Sequence, residues 1–403
     1  MKKTRIIIAC LFAISLAGNA LAQNDMTPGL TGQTKNYIST GMPILLVSPD
    51  AIASGMGDAG AASTPDIYSA HWNNAKFAFI DGDIGLGTTY TPWLRNLNVA
   101  DMNLLYLGGF KRINSRSTVA ASLTYFSLGE IQMTDADGQS RGTMNPNEFA
   151  ADITYAMKLN DELSLGATGR FINSDLTNGQ QVSDGSGYVS TKPARSIAAD
   201  LGLYWQHPID NSQVLAIGAF ISNMGAKLSY SDDDTKKEFL PSNLRIGARY
   251  TNHIDESNSI SLLFDVNKLL VPTPPITEGD STYSKYYRNM TEYYSTGVMK
   301  GAIQSFYDAP RGLSEEFQEV QISAGGEYWY KQTLAARAGY FYESNTKGGR
   351  QYLTFGFGLK YSIMQFDFAY LVPTTSFSSN PLSNTIRISL TLNFKAKKPT
   401  PTI

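Results

Sequence analysis

From Asn384 to Phe394 the chain alternates without a fault. Ile386, Ile388, Leu390, Leu392 and Phe394 fall on one face; Arg387, Ser389, Thr391 and Asn393 fall on the other. A two-residue period predicts a β-strand with one apolar and one polar side. The same pattern recurs from about Gly82 onward, with no long helical segment between the repeats. In 147–159, Phe149, Ala151, Ile153, Tyr155 and Met157 oppose Asp152, Thr154 and Lys158; in 162–171, Leu163, Leu165, Ala167 and Phe171 oppose Ser164, Thr168 and Arg170. In 196–206, Ile197, Ala199, Leu201, Leu203 and Trp205 oppose Asp200, Tyr204 and Gln206. In 351–361, Leu353, Phe355, Phe357, Leu359 and Tyr361 oppose Thr354 and Lys360. A sandwich core does not tolerate such charges, whereas a hydrated lumen does.

The reading gives about fourteen strands, an even number as bacterial barrels require. They run near 82–93, 101–111, 116–128, 147–158, 162–174, 195–206, 212–223, 242–250, 258–268, 318–330, 332–343, 350–361, 363–371 and 384–394. Short links (112–115, 160–161, 207–211, Ser362) alternate with long ones (129–146, 176–194, 225–240, 269–317, 372–383). That alternation predicts an all-β transmembrane antiparallel barrel with short turns at the periplasmic end and long loops outside.

The first residues set the compartment. Lys2, Lys3 and Arg5 precede the apolar run Ile6–Leu16, and Ala20-Leu21-Ala22 offers a cleavage site before Gln23, so 1–22 reads as a signal peptide. The run is too short to span a membrane as a helix. Ile7-Ile8-Ala9-Cys10 resembles a lipoprotein box, but cutting there leaves almost no apolar region. Cys10 is the single cysteine, so the mature chain is expected to lack disulfides and thiol chemistry. The net charge is −2; without the three signal-peptide cations it is about −5, which argues against a nucleic-acid partner. Neither mean hydropathy nor charge looks membrane-like overall, as expected for a barrel in which half of each strand faces a polar lumen.

Residues 23–80 alternate too poorly for strands. With the small-residue run Met56-Gly57-Asp58-Ala59-Gly60-Ala61-Ala62 they read as a plug or hatch inside the barrel, against the plainer reading of a periplasmic tail. Residues 81–394 form the predicted barrel, and 395–403, with Lys395, Lys397 and Lys398, a short basic periplasmic tail. In the longest loop, Pro272, Pro274 and Pro275 stop the preceding strand. A tyrosine-rich stretch follows, and Tyr283, Tyr286, Tyr287, Arg288, Tyr293 and Tyr294 are the candidate partner-contact residues, large amphipathic rings adding contact area at low entropic cost. An aromatic girdle or simple loop packing explains them equally well. Trp93, Trp205 and Trp329 read as interfacial anchors at strand ends. Gly356 and Gly358 read as room beside the plug.

The most specific sequence lies before the first strand. Gly41-Met42-Pro43-Ile44-Leu45-Leu46-Val47-Ser48-Pro49-Asp50-Ala51 leads to Gly55–Gly60 and then to Ser69-Ala70-His71-Trp72-Asn73-Asn74-Ala75-Lys76-Phe77-Ala78-Phe79. Tyr125–Ile131, Asn145–Ala150 and Arg170–Leu176 follow in order. These stretches resemble the PorV family of type IX secretion outer-membrane proteins, within the FadL-like barrel superfamily. The resemblance covers nearly the whole mature chain. It implies a fourteen-stranded FadL-like barrel that transports no bulk solute. It further implies binding of the C-terminal signal domain of secreted cargo at a large translocon barrel, and delivery to a sortase-type attachment complex that links cargo to lipopolysaccharide. Trp72, Asn73, Asn74 and Ala75 form the plug motif. The superfamily usually has Asn-Pro-Ala there; Asn74 stands in place of the proline, which weakens any claim that this plug moves as in a fatty-acid transporter. Leu390, Leu392 and Phe394 are the expected barrel-insertion signal.

Little points to catalysis, and neither enzyme activity nor a cofactor or metal is expected. His71 sits in the predicted plug, while His207 and His253 fall in short turns, so the three do not converge as a metal or triad site requires. Asp232-Asp233-Asp234 lacks the glycine and terminal glutamate of a calcium loop. Two rivals to a cargo shuttle stand. A FadL-like transporter of hydrophobic small molecules, suited by Phe77 and Phe79, requires a continuous apolar pocket with a gap in the wall. An outer-membrane enzyme such as a lipid A deacylase requires a serine or histidine centre at the outer rim.

Overall fold

The alternating segments pair edge to edge and close on themselves. The computed structural model describes residues 36–93, 101–134, 139–177, 179, 181–183, 188–231, 236–275, 283–374 and 385–395. Its strands are β1 (Ile84–Pro92), β2 (Asn103–Arg112), β3 (Ser117–Ser127), β4 (Ile131–Thr134), β5 (Ser140–Met144) and β6 (Asn147–Lys158). There follow β7 (Leu163–Asp175), β8 (Gln181–Ser183), β9 (Tyr188–Ser190), β10 (Ala194–Pro208), β11 (Gln213–Gly225) and β12 (Asn243–His253). The last are β13 (Asn258–Leu269), β14 (Val320–Tyr330), β15 (Leu334–Tyr342), β16 (Gln351–Tyr361), β17 (Met364–Pro373) and β18 (Ile386–Phe394). Fourteen of them form a closed antiparallel barrel in sequence order, while β4–β5 and β8–β9 are separate hairpins inside two long loops. The ring shuts where β18 meets β1, in a register that sets Ile84 opposite Phe394 and Tyr90 opposite Ile388.

The two-residue period decides which side chain meets which solvent. On β6 and β10 the outward Ile153 and Ile197 are 74% and 71% exposed. The inward Asp152 and Asp200 are buried. An exposed belt of leucine, isoleucine, phenylalanine and tyrosine therefore surrounds a polar interior, the inverse of a water-soluble sandwich.

The two ends differ for a local reason. At one end the turns are tight and repeat a single device. Asn114, Asn160, Asp210 and Asp255 each accept two backbone N–H bonds from residues two and three positions on, at 2.7–2.9 Å. Short polar side chains that fold the chain back in this way fix hairpin register. The opposite end carries the hairpins and the long loop, with helices Tyr283–Ser295, Val298–Gln304 and Leu313–Gln318.

Residues 36–80 fill the lumen. They form short helical turns at Pro43–Leu46, Ala51–Ser54, Ser69–Trp72 and Asn74–Phe79. Asp50 caps the second of these, accepting from Ile52 N and Ala53 N at 2.9 Å each. Two apolar clusters stack along the barrel axis. One gathers Met42, Ile44 and Leu45 with Leu104, Phe126, Ile172, Leu240 and Phe341. The other gathers Ile52, Met56, Ile67, Trp72 and Phe77 with Tyr106 and Phe110.

Two sequence assignments need correction. Trp93 is buried and packs edge-on against Phe126 at 5.8 Å, inside the wall. It shares parity with the inward Thr89 and Thr91, so the period turns it away from lipid. Trp329 shares parity with the buried Glu327, and the Arg337 guanidinium lies 5.7 Å from its ring. Its neighbours Tyr328 and Tyr330 are the exposed pair. The signal peptide, residues 23–35 of the expected plug, Asp232–Asp234 and the tail beyond Lys395 lie outside the described residues.

Candidate functional site

The plug is bonded to the wall around the whole ring. On β13, Asp265 points inward with no exposure and accepts from both Gly60 N and Ala61 N at 2.7 Å. On β18, Ser389 Oγ accepts from Ala51 N at 2.9 Å, and Arg387 donates to Ser48 O at 3.1 Å. On β16, Thr354 accepts from Gly57 N at 2.8 Å, and Tyr352 donates to Asp58 at 2.5 Å. On β12, Arg249 donates to Ala62 O at 3.0 Å and Thr64 at 2.9 Å. These bonds satisfy backbone groups that the irregular plug cannot satisfy itself, and their charged members are the stronger ones.

The plug motif lies at the centre. Trp72 donates its indole N–H to Asp50 at 2.5 Å, with the Arg245 guanidinium 4.3 Å from its ring. Asn73 donates to Ala61 O and Leu203 O at 3.0 Å each, while its own oxygen caps Ala75 N at 3.1 Å. Asn74 donates to Thr168 at 2.9 Å, and Ala75 O accepts from Ser164 at 2.8 Å. So close an approach requires bare wall. A Cβ on Gly166 would stand 2.5 Å from Ala75 N, and one on Gly202 would overlap the Asn73 and Asn74 side-chain oxygens. The Asn74 side chain thus supplies a wall bond that a proline at this position could not make.

Gly356 does give room to the plug, since a Cβ there would stand 3.0 Å from Gly55 Cα. Gly358 does not. Its Cβ would meet Asp367 at 2.6 Å and Arg337 Nη1 at 3.0 Å, so its bareness admits an ion pair of the wall. Arg337 bridges Glu327 and Asp367 at 2.7 Å each, and Arg170 bridges Asp152 at 2.7 Å and Asp200 at 3.0 Å. Among the described residues, two of the spaces between plug and wall have volumes of about 20 and 10 Å³. Each is of the order of one water molecule.

His71 lines the smaller cavity, inside the plug. His207 pairs with Glu162 at 2.8 Å and stacks on Trp205 at the tight-turn end; the bonds from His207 and Trp205 hold the Glu162 carboxyl below its ordinary range. His253 closes β12 at the same end. Leu390, Leu392 and Phe394 lie on β18, on the strand that shuts the ring.

At the long-loop rim, Tyr283, Tyr286, Tyr287 and Arg288 fall on the helix Tyr283–Ser295, and their side chains lie outside the described residues. Tyr293 is half-buried against Phe239 at 5.7 Å and Tyr294 at 5.4 Å, and burial raises its pKa. Lys227 donates to Tyr294 O at 2.9 Å and sits 3.7 Å from the Phe239 ring centre. Tyr293 therefore ties two loops together. The more exposed residues come later and escaped the tyrosine-centred reading: Met299, Ile303, Phe306, Tyr307, Leu313 and Phe317. Their spacing of three and four within a loop was the available signal. Beneath them lies a charged layer. Lys268 joins Glu316 at 3.1 Å and Glu319 at 2.7 Å, and Lys347 joins Glu315 at 2.6 Å and Glu319 at 2.9 Å. Asn36 donates to Glu315 at 3.2 Å, so the plug's first described residue is held at this rim. Burial pushes the Asp308 carboxyl up to about 6 despite the Thr273 N–H it accepts. Glu315 is raised by burial, but the Lys347 ammonium and the Arg311 N–H outweigh this and leave it below its usual value.

The family model of the type IX secretion system protein PorV matches residues 30–276, more than half of the chain. The chain belongs to the PorV family. It is therefore an outer-membrane component of the type IX secretion system. No curated protein matches it. Among solved structures, the toluene transporter TbuX of Ralstonia pickettii matches at 12% identity over 86% of this chain and 98% of its own, with a TM-score of 0.49. The CymD monoaromatic hydrocarbon channel matches at 14% identity over 87% and 99%, also at 0.49. A FadL homologue of Pseudomonas aeruginosa matches at 12% identity over 90% and 100%, at 0.41. These likenesses concern the fold.

Proposed function

We propose that this protein is a non-enzymatic cargo carrier of the type IX system. Its long loops, placed at the cell surface, bind the C-terminal signal domain of secreted proteins at the translocon barrel. The barrel then carries that cargo to the sortase-type attachment complex. Membership of the PorV family carries the reading. The lumen supports it: among the described residues the plug is bonded to β12, β13, β16 and β18, and the two spaces described between it and the wall are of water size. Such a barrel anchors loops and passes no solute. The hydrophobic-transporter alternative needs an apolar conduit, and the apolar space is taken by the chain's own Met42, Ile44 and Leu45. Handover requires reversible contact, which favours a surface of moderate size with a polar rim.

Replacing residues 283–317 by a short linker, in a barrel that stays heat-modifiable, is expected to abolish co-purification of cargo bearing its signal domain. Undiminished capture would assign cargo to another loop.

A further inference from the structure

The two rim helices are amphipathic in the wrong sense for water. In Leu313–Gln318, Glu315 and Glu316 are buried, while Leu313 and Phe317 are 73% and 76% exposed. In Val298–Gln304, Gly301 and Ala302 turn inward, with Gly301 against Pro272 and Phe239, while Met299 and Ile303 are 68% and 62% exposed. Phe306 and Tyr307 extend the same apolar surface. A loop surrounded by water would present the glutamates and bury the rings.

The height of this surface in the barrel identifies what covers it. Tyr328 on β14 is exposed at the tight-turn end and bonds Asn258. A strand rising ~3.3 Å per residue at a ~40° tilt climbs about 2.5 Å per residue, so an apolar band ~25 Å tall occupies about ten residues. Counted from Tyr328, the band ends near Gln318, the last residue of the Leu313–Gln318 helix. The outward Ile322, opposite Tyr342 on β15, lies just inside that limit, and both are exposed. Lys268, one of the outward-parity residues of β13, is opposite Val320 at the limit itself, and its ammonium is closed off by Glu316 and Glu319. The helices thus continue the lipid-facing belt at headgroup level. Lys300 and Arg311 are exposed beside the apolar residues, while Glu315, Glu316 and Glu319 are buried.

We infer that the Val298–Gln304 and Leu313–Gln318 helices lie in the outer-leaflet interface, apolar faces in the acyl region and exposed cations toward anionic glycolipid headgroups. The inference rests on the orientation proposed above, with the long loops outside, and is independent of cargo capture. The rim helices then hold the long loop tilted against the membrane surface, beside the wall.

Nitroxide labelling tests this in the full chain freed of Cys10, which otherwise holds no cysteine. Phe317→Cys, Leu313→Cys and Ile303→Cys are labelled in proteoliposomes of lipopolysaccharide and phosphatidylethanolamine, using only heat-modifiable material. Ile153→Cys serves as the lipid reference and Asn160→Cys as the aqueous one. Oxygen accessibility in excess of a nickel chelate that lies between the two references, clearly shifted from the Asn160→Cys value toward the Ile153→Cys value at all labelled sites that fold, is the expected result. Accessibility like that of Asn160→Cys would overturn the inference and assign the apolar face to a protein partner. Because the readout needs no cargo, its failure is distinct from a failure of the carrier reading.

Discussion

Asp265→Ala attacks the lock between plug and barrel at its most concentrated point. One buried carboxylate oxygen accepts two plug N–H groups, Gly60 and Ala61, at 2.7 Å. A hydrogen bond to a charged group contributes about 1.5–3 kcal/mol, so removing both costs about 3–6 kcal/mol of plug seating. At about 1.4 kcal/mol per factor of ten, that raises the unseated population by roughly two orders of magnitude or more. Asp265→Asn keeps an acceptor oxygen but loses the charge, and its effect falls between wild type and alanine. The barrel itself keeps its ladder, because the substitution leaves in place the backbone pairing of β13 with β12 and β14. Hydrogen exchange at residues 55–63 and ion conductance in planar bilayers read the change. Faster exchange at these residues with new conductance steps in Asp265→Ala, graded through Asp265→Asn, is expected. Exchange and conductance equal to wild type would refute the claim that this carboxylate seats the plug.

Other outcomes follow from the same contacts. Gly202→Ala drives a methyl into the Asn73 and Asn74 oxygens, and overpacking of this kind destabilises by about 1–3 kcal/mol, read as a lower temperature for loss of the heat-modifiable band. Phe394→Ala weakens the segment that closes β18 on β1 and is expected to lower the inserted fraction; wild-type levels would count against it. The Asp308 carboxyl, near Glu316 and Glu319 and the cations Lys268 and Lys347, is raised to about 6 when folded, so the folded rim binds this proton more tightly than the unfolded chain does. Rim protection in hydrogen exchange, corrected for intrinsic rate, therefore rises as pH falls through 6. It reverses at lower pH as Glu315, depressed below 4.5, takes up its proton, and Asp308→Asn abolishes the rise.

Fourteen barrel strands were legible because each obeys one period: an outward Ile153 or Ile197 and an inward Asp152 or Asp200 leave a trace no helix gives. The β4–β5 and β8–β9 hairpins were not, since they are short and sit inside long polar links. Trp93 was misassigned by weighing residue type above parity; counted from Thr89 and Thr91 it points inward. Residues 36–80 showed small side chains suited to close packing, but their partners, Asp265, Thr354, Ser389 and Arg249, lie hundreds of positions away in the chain and surface only when the barrel closes. The outward apolar face of the rim helices was masked by the tyrosines before it. Those drew the eye to 283–294, while the inverted amphipathicity of 298–318 becomes visible only once Glu315, Glu316 and Glu319 are seen to face Lys268 and Lys347.

The central claim is that the barrel carries cargo through its loops. Gentle detergent extraction of the tagged protein from its native outer membrane, followed by mass spectrometry, tests it most directly. The account predicts secreted proteins still bearing their C-terminal signal domains, together with a giant barrel or a sortase. Recovery of the barrel alone with bound lipid-like molecules would contradict it and favour a transporter.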